Sequence, residues 1–132
     1  MKYIIPLFIL LFAMSAFAPA GDDLEASKAR GSEAYFLYCV SCHMGEGEGV
    51  KGAVPPLAKS DYLMADIERA IHVVKYGQQG EITVNGAAYN SYMAPLGLDD
   101  QEVADVLNFI LNSWGNSYDQ MITVEQVKAV EE

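Results

Sequence analysis

The chain has 132 residues, about half of them hydrophobic, which suits one small folded domain. It carries 18 acidic side chains against 8 Lys or Arg, for a net charge of −10 at pH 7. We therefore expect no binding to nucleic acid or to anionic lipid by general electrostatic attraction, because both are negatively charged.

Residues 1–20 have the pattern of a secretory signal peptide. Lys2 precedes an apolar run over residues 4–17, and small residues at Ala16, Ala18 and Ala20 form two cleavage patterns. The run is shorter than the roughly 20 residues that cross a bilayer. We predict export, cleavage near Ala18 or Ala20, and location in the periplasm if the host is Gram-negative. An uncleaved leader is the alternative, and it would hold the protein at the membrane.

The first predicted helix covers about residues 24–38. Apolar residues on one stripe, Ala34, Tyr35, Leu37 and Tyr38, indicate the face that packs inside. This helix leads directly into the chain's two cysteines.

Cys39, Cys42 and His43 form the pattern Cys-x-x-Cys-His, the attachment signature of c-type haem. Two thiols three residues apart can lie on one side of a helical turn, where each can add to one porphyrin vinyl group. The histidine that follows is then placed under the ring and can ligate the iron. The pattern predicts one covalently attached haem c, with His43 as an axial ligand.

Three other uses of these residues are consistent with part of the pattern. A zinc site usually needs four ligands, and His72 is far along the chain with no second ligand beside it. A thioredoxin-like dithiol needs a βαβ context, which the sequence lacks. A structural disulfide is allowed in an exported protein, but it does not require a histidine after Cys42. These stay open as minor alternatives.

A glycine-rich loop follows, over residues 45–56, and it ends in Pro55-Pro56. Residues 47–52 match Gly-x-Gly-x-x-Gly, but no strand precedes them and no helix follows, so we reject a dinucleotide site. Ser60 or Asp61 can cap a second helix that runs to about residue 76, where Gly77 ends it.

Residues 81–89 alternate about the pair Asn85-Gly86, which predicts a short β-hairpin. Asp99 or Asp100 can cap a last helix over residues 101–114. Its buried stripe is predicted to be Val103, Val106, Leu107, Ile110 and Leu111. Residues 117–132 are predicted to be a C-terminal tail with one weak helical stretch after Thr123. The fold class is all-α, with residues 21–116 as the domain.

Several positions resemble the class I cytochromes c. Gly31, Tyr35 and Cys39 are spaced four apart, and in that family a glycine here lets the first helix cross the last closely, with an aromatic residue, here Phe109, at the crossing. The resemblance implies the cytochrome c fold, with three or more helices around one haem and a hairpin before the distal loop.

The same resemblance implies roles for two loops. Residues 55–57 resemble the loop whose proline carbonyl accepts a hydrogen bond from the haem-ligating imidazole, and Pro55 or Pro56 is the candidate, with Pro56 taken as the site residue. Residues 92–95 resemble the loop that presents a methionine ligand, here Met93. More narrowly, the hairpin ahead of Met93, together with residues 112–115 behind it, resembles the small cytochrome domains coupled to bacterial dehydrogenases, terminal oxidases and copper nitrite reductases.

Met93 is the predicted second axial ligand. It lies in a loop stiffened by Pro95, and a thioether is a soft ligand that raises the reduction potential of haem iron. His72 is the rival, since a second imidazole would give bis-histidine ligation. Met64 on the second helix is expected to fill the core instead.

These residues predict a one-electron carrier rather than an enzyme. Its partners would be redox proteins whose identity the sequence does not give, with membrane association only through those partners or an uncleaved leader. The alternative function is a haem enzyme or gas sensor with an open or labile sixth coordination site. Such a protein would need distal acid–base residues, of which the chain offers few.

Overall fold

The computed structural model describes residues 23–132. The predicted signal peptide lies outside the described residues, so its presence and cleavage stay predictions. The described residues form six helices and one two-stranded hairpin: α1 Leu24–Tyr38, α2 Val40–His43, α3 Asp61–Ala65, α4 Ile67–Tyr76, β1 Ile82–Val84, β2 Ala87–Tyr89, α5 Asp100–Ile110 and α6 Val124–Ala129. No helix within residues 23–132 has the length and apolar character needed to cross a membrane.

The crossing of α1 over α5 is the most extensive helix contact in the fold. Gly31 lies at the crossing, and a Cβ there would clash with the carbonyl oxygen of Asp105 and come within 2.9 Å of the Cβ of Phe109. The ring of Phe109 packs on fully buried Tyr35, with ring centroids 5.6 Å apart. The close crossing and its aromatic residue are therefore confirmed.

A buried polar cluster fastens the same crossing. Asp105, with only 5 % of its side chain exposed, accepts hydrogen bonds from Ser27 Oγ at 2.6 Å and from Arg30 Nε at 2.7 Å. Asn108 Nδ2 donates to Ser27 Oγ at 2.8 Å and to the carbonyl of Ile122 at 3.0 Å. The cluster joins α1, α5 and the segment before α6, and no sequence pattern predicted it.

Two predicted helices differ from the structure. The single helix expected from residue 60 to 76 is two helices, because Asp66 has extended backbone (φ −152°, ψ 103°) and its side chain caps α4 by accepting from Arg69 N. The last helix ends at Ile110 rather than near residue 114. There Ser113 Oγ donates to the carbonyl of Phe109 at 2.6 Å, which satisfies a group that the next helical turn would have used.

The hairpin is confirmed, with Ile82 opposite Tyr89 and Val84 opposite Ala87. Asn85 and Gly86 both have positive φ, 50° and 79°, as a two-residue type I′ turn requires. Asp61 fastens the turn to the start of α3: Asp61 N donates to Asn85 Oδ1 at 3.0 Å, and Asn85 N donates to Asp61 Oδ1 at 2.7 Å.

Burial along α1 and α5 agrees only in part with the predicted stripes. All five residues predicted on the last helix are buried, and so are Ala34 and Tyr35 on α1. Leu37 and Tyr38 are not: they keep 75 % and 41 % of their surface exposed. Both lie in the last turn of α1, beyond its crossing with α5.

The segment predicted as a tail packs into the core. Ile122 and Val127 are fully buried, and Val130 is nearly so, in one cluster with residues of α4 and α5. Lys75 Nζ on α4 donates to the carbonyls of Val127 and Val130 at 2.9 Å, close to the end of α6. The domain boundary at residue 116 stays a prediction, but the fold uses side chains beyond it.

Candidate functional site

A cavity of about 390 Å³ lies among α2, α4, α5, the hairpin and the loop over residues 91–96. Most of its wall is apolar, and the side chains that matter for chemistry are few. The predicted site residues in its wall are Cys39, Cys42, His43, Pro55, Pro56 and Met93. The structure thus brings together residues that are as far apart in sequence as Cys39 and Met93, which are 54 positions apart.

His43, at the end of α2, is buried and keeps 8 % of its surface exposed. Its Nδ1 lies 3.1 Å from the carbonyl oxygen of Pro55, and because a carbonyl only accepts, Nδ1 carries the proton. Burial lowers the pKa of His43, although the hydrogen bond to Pro55 opposes the shift. The imidazole is therefore neutral at pH 7, with the Nε2 lone pair free to bind a metal.

The choice of Pro56 as acceptor of that hydrogen bond is corrected. Pro55 supplies the carbonyl, and Pro56 follows it in the wall of the cavity. The two residues are adjacent and chemically identical, so only the path of the backbone decides between them. Whether Pro56 itself contacts a cofactor stays a prediction.

Cys39 and Cys42 lie at the start and within the single turn of α2, and both line the cavity. Cys39 is buried and Cys42 is exposed, and the two thiols are not joined to each other. Burial, with a smaller contribution from Cys42, raises the pKa of Cys39 to about 11. The Cys39 thiol is therefore protonated at pH 7.

Met93 is half-buried in the cavity wall, and two backbone hydrogen bonds fix its position. Met93 N donates to the Gln78 carbonyl at 2.8 Å, and Gln78 N donates to the Met93 carbonyl at 2.9 Å. Gly77, which has φ +87°, lies so close that a Cβ there would clash with the Met93 carbonyl oxygen. The loop that bears Met93 is therefore held against the end of α4.

The other candidates for the second axial position lie elsewhere. His72 is outside the wall of this cavity, and its ring packs on Tyr76 with centroids 5.1 Å apart. Met64 packs against the hydrophobic core, as predicted. Met44 follows His43 directly, and its carbonyl accepts a hydrogen bond from Tyr35 Oη at 2.6 Å. His72, Met64 and Met44 do not line the cavity, whereas Met93 lines it together with His43.

Sequence reasoning missed several residues of the wall. The hairpin contributes Ile82, Val84 and Tyr89, although it was predicted only as an excursion before the distal loop. Arg69 and Gln78 also line the cavity. The alternation of the hairpin was a usable signal, because one face of each strand must be buried somewhere.

The set of donors fits a haem. Two thiols on one helical turn suit two thioether bonds, a neutral imidazole and a thioether suit iron, and the remaining wall is largely apolar, as the porphyrin requires. Cys39, Cys42, His43 and Met93 are the residues that would hold it.

Comparison with known proteins gives the same result. The family model described as Cytochrome c matches residues 28–114. A cytochrome c-552 of Thermus thermophilus is 38% identical over 117 residues, which cover 80% of this chain and 76% of that protein.

Two further relatives are subunits of larger enzymes. The cytochrome c subunit of a quinone-type alcohol dehydrogenase of Gluconobacter oxydans is 32% identical over 102 residues, covering 74% of this chain but 21% of that subunit. The cytochrome c subunit of a gluconate 2-dehydrogenase of Pantoea cypripedii is 33% identical over 115 residues, covering 83% and 25%. The chain therefore corresponds to about a fifth to a quarter of each of these subunits.

Proposed function

The chain belongs to the cytochrome c family, and from this premise we propose that it is an exported one-electron carrier whose haem iron is ligated by His43 and Met93. Membership of the family means one haem c attached through Cys39 and Cys42, as the sequence predicts, and a role in electron transfer. The ligand pair, the compartment and the partners are the parts that we propose.

The proposal that His43 and Met93 are the two axial ligands rests on one observation: both side chains line the same cavity. When bound, haem supplies a one-electron iron couple. His43 presents a neutral Nε2, and Pro55 orients its ring by accepting the Nδ1 proton. Met93 presents a soft thioether from a loop that its hydrogen bonds to Gln78 hold in place. With a protein ligand at each axial position, no coordination site is left for a substrate, which supports a carrier rather than an enzyme.

The Cys-x-x-Cys-His pattern and the signal-like residues 1–20 support export to the periplasm. The relatives named as dehydrogenase cytochrome subunits support redox proteins as partners. The net charge of −10 favours partners that present a positive surface. We propose no activity on a small-molecule substrate for the chain alone.

The test compares the haem-loaded wild type with Met93→Ala by optical spectroscopy and potentiometry. We expect the weak sulfur-to-iron band of the oxidised wild type to be absent from Met93→Ala, together with a lower midpoint potential and faster carbon monoxide binding to the reduced protein. His72→Ala is the matched control and should keep the wild-type spectrum, because His72 lies outside the cavity.

Two results would overturn the proposal. If Met93→Ala keeps the sulfur band, the distal ligand is another residue. If the reduced wild type already binds carbon monoxide rapidly, the sixth position is open and the alternative of a haem enzyme or gas sensor is favoured. Fractionation of the native host would test the compartment, since a cytoplasmic location of the haem-loaded protein contradicts export.

A further inference from the structure

The hairpin belongs to a loop, residues 78–93, whose two ends are paired with each other. Gln78 and Met93 form an antiparallel bridge through their backbones. The strands β1 and β2 lie between them, and the turn at Asn85-Gly86 is the tip of the loop. The bridge fixes Met93 at the base of the loop and leaves the position of the tip to other contacts.

The inward face of the hairpin forms one wall of the cavity. Val84 and Tyr89 are buried and line the cavity together with Ile82, whereas Thr83 and Ala88, which alternate with them, are exposed. Among the described residues, neither Val84 nor Tyr89 is part of the two hydrophobic clusters built around α1, α4 and α5. Two strands of three residues each are marginally stable by themselves. The hairpin therefore depends on contacts outside it to stay closed against the cavity.

Asp61, the first residue of α3, holds the tip of the loop. Asp61 Oδ1 accepts hydrogen bonds from Asn85 N and from Tyr62 N, each at 2.7 Å. Asn85 Oδ1 accepts in return from Asp61 N at 3.0 Å. Both residues are exposed, so water competes for each bond, but the two bonds between them are reciprocal and each holds the partners of the other in place. We call this pair the Asp61–Asn85 clasp.

We propose that the Asp61–Asn85 clasp sets the reduction potential of the haem by keeping the hairpin closed against the cavity. The inference rests on the proposed carrier function, because it assumes a haem ligated by Met93 in this cavity. Oxidised haem iron carries one more positive charge than reduced iron, and access of water to the site stabilises the more charged form. A closed hairpin limits that access and so raises the potential. Asp61 and Asn85 are positioning residues, since neither lines the cavity.

The principal variant is Asn85→Gly in the haem-loaded protein. It removes the oxygen that accepts from Asp61 N, and it leaves the net charge unchanged. Glycine adopts the positive φ of this turn position readily, and Gly-Gly is a favoured pair in type I′ turns, so the turn itself is not strained. Asn90→Gly is the matched control, because Asn90 is exposed just beyond β2 and lies outside the clasp.

A second pair of variants, Asp61→Asn and Asp61→Ala, separates the clasp from the charge of Asp61. Both variants lose the carboxylate charge, but Asn keeps an oxygen that can accept from Asn85 N. The readouts are the midpoint potential, the sulfur-to-iron band, and the amide hydrogen exchange of residues 82–89. Mass and helical circular dichroism establish that each variant is folded and carries haem.

We expect the amides of the hairpin to exchange about tenfold faster in Asn85→Gly than in the wild type, because loss of the clasp lets the hairpin open. The midpoint potential of Asn85→Gly should be lower, while the sulfur-to-iron band remains, since Gln78 still holds Met93 at the base of the loop. Asn90→Gly should match the wild type in all three readouts. Asp61→Ala should have faster exchange and a lower potential than Asp61→Asn.

Several results would overturn the proposal while the carrier function still stands. Wild-type exchange in Asn85→Gly would mean that the clasp does not hold the hairpin, and faster exchange at an unaltered potential would mean that the hairpin does not control the potential. Loss of the sulfur band would show that the clasp acts by holding Met93 instead. Equal potentials for Asp61→Ala and Asp61→Asn, or an equal shift in Asn90→Gly, would also contradict it. A wild type without the sulfur band or without a reversible one-electron couple would instead contradict the proposed function.

Discussion

Gly77 packs closely against the loop that bears Met93. It ends α4 with φ +87°, and a Cβ at this position would clash with the Met93 carbonyl oxygen and lie 3.0 Å from the Pro95 nitrogen. A side chain here meets two separate penalties, the backbone strain of positive φ and the clash with the loop. Backbone strain from positive φ occurs at other glycines too. Comparing Gly77 with one of them therefore isolates the effect of the clash with the loop.

Gly80→Ala provides that comparison. Gly80 has φ +90°, and a Cβ there would meet no atom within 4 Å. We expect Gly77→Ala and Gly80→Ala each to lose about 1–3 kcal/mol of unfolding free energy from backbone strain at positive φ. Gly77→Ala alone should also weaken the sulfur-to-iron band and speed carbon monoxide binding, because the loop that bears Met93 must move.

The measurement is the optical spectrum and carbon monoxide binding rate of the two haem-loaded variants, beside their unfolding in urea. A folded Gly77→Ala protein with an unaltered sulfur band would mean that the loop tolerates the displacement. If Gly80→Ala lost the band equally, strain in the 77–80 turn rather than contact with Met93 would be the cause.

For individual residues, the sequence predicted the haem-attachment residues but not all of the backbone groups that hold the site in place. Cys39, Cys42 and His43 are recognisable because their chemistry requires fixed spacing along the chain. Gln78 holds Met93 through backbone hydrogen bonds alone. Almost any residue type can form such bonds, so the sequence gives no sign of them. Pro55 and Pro56 could not be separated for a similar reason, since the acceptor is a carbonyl that both possess.

The two long helices α1 and α5 depend on Asp105 for more than their apolar contact. Its carboxylate accepts from Ser27, Arg30 and Gln101, and 5 % of its side chain is exposed. Removing the carboxylate takes away a buried acceptor that these three side chains share. Because Arg30 keeps 44 % of its side chain exposed, water can compensate it in part.

We therefore expect Asp105→Ala to lower the unfolding free energy of the haem-loaded protein by about 3 kcal/mol. Urea unfolding measures it, with Asp119→Ala as the control for loss of an acidic residue at an exposed position. The control should change stability by less than about 0.5 kcal/mol. Equal stabilities for the two variants would mean that the cluster contributes nothing net to the crossing.

Element ends were harder to predict than element cores, for a physical reason. Apolar periodicity continues from residue 63 to 74 across the break at Asp66, so the pattern gave no sign that a side chain would cap a new helix there. The end of α5 is set by Ser113 bonding back to Phe109, a local competition that periodicity does not report. A capping side chain, in contrast, is a local signal: Asp99, one of the two predicted caps, accepts from Glu102 N, and α5 begins at Asp100, one residue before the predicted start.

The hydrophobic core of the whole molecule includes side chains from its last sixteen residues, 117–132. Ile122 is fully buried, and Asn108 exchanges two hydrogen bonds with its backbone, at 2.8 Å and 3.0 Å. The sequence predicted only a weak helix here, because α6 has six residues and little pattern of its own. Its burial comes from contacts with α4 and α5 that are distant in sequence.

The net charge of −10 acts at the scale of the whole molecule, through the rate at which charged reactants meet it. The net charge does not determine any particular contact in the fold. Its electric field accelerates the approach of cations and slows the approach of anions. At about 0.1 M ionic strength the field is screened beyond about 10 Å. A comparison of reactants of opposite charge therefore tests the expected preference for positive partners.

We expect oxidation of the reduced protein by cationic tris(phenanthroline)cobalt(III) to slow by about tenfold as ionic strength rises from low to high. Oxidation by anionic hexacyanoferrate(III) should instead become faster, because screening removes a repulsion. Stopped-flow kinetics at matched ionic strengths measures both, and each reagent serves as the control for the other. Rates that do not vary with salt for either reagent would mean that the acidic residues lie away from the route by which the electron leaves. A partner would then have to recognise an uncharged surface, and the proposed preference for a positive partner would fail.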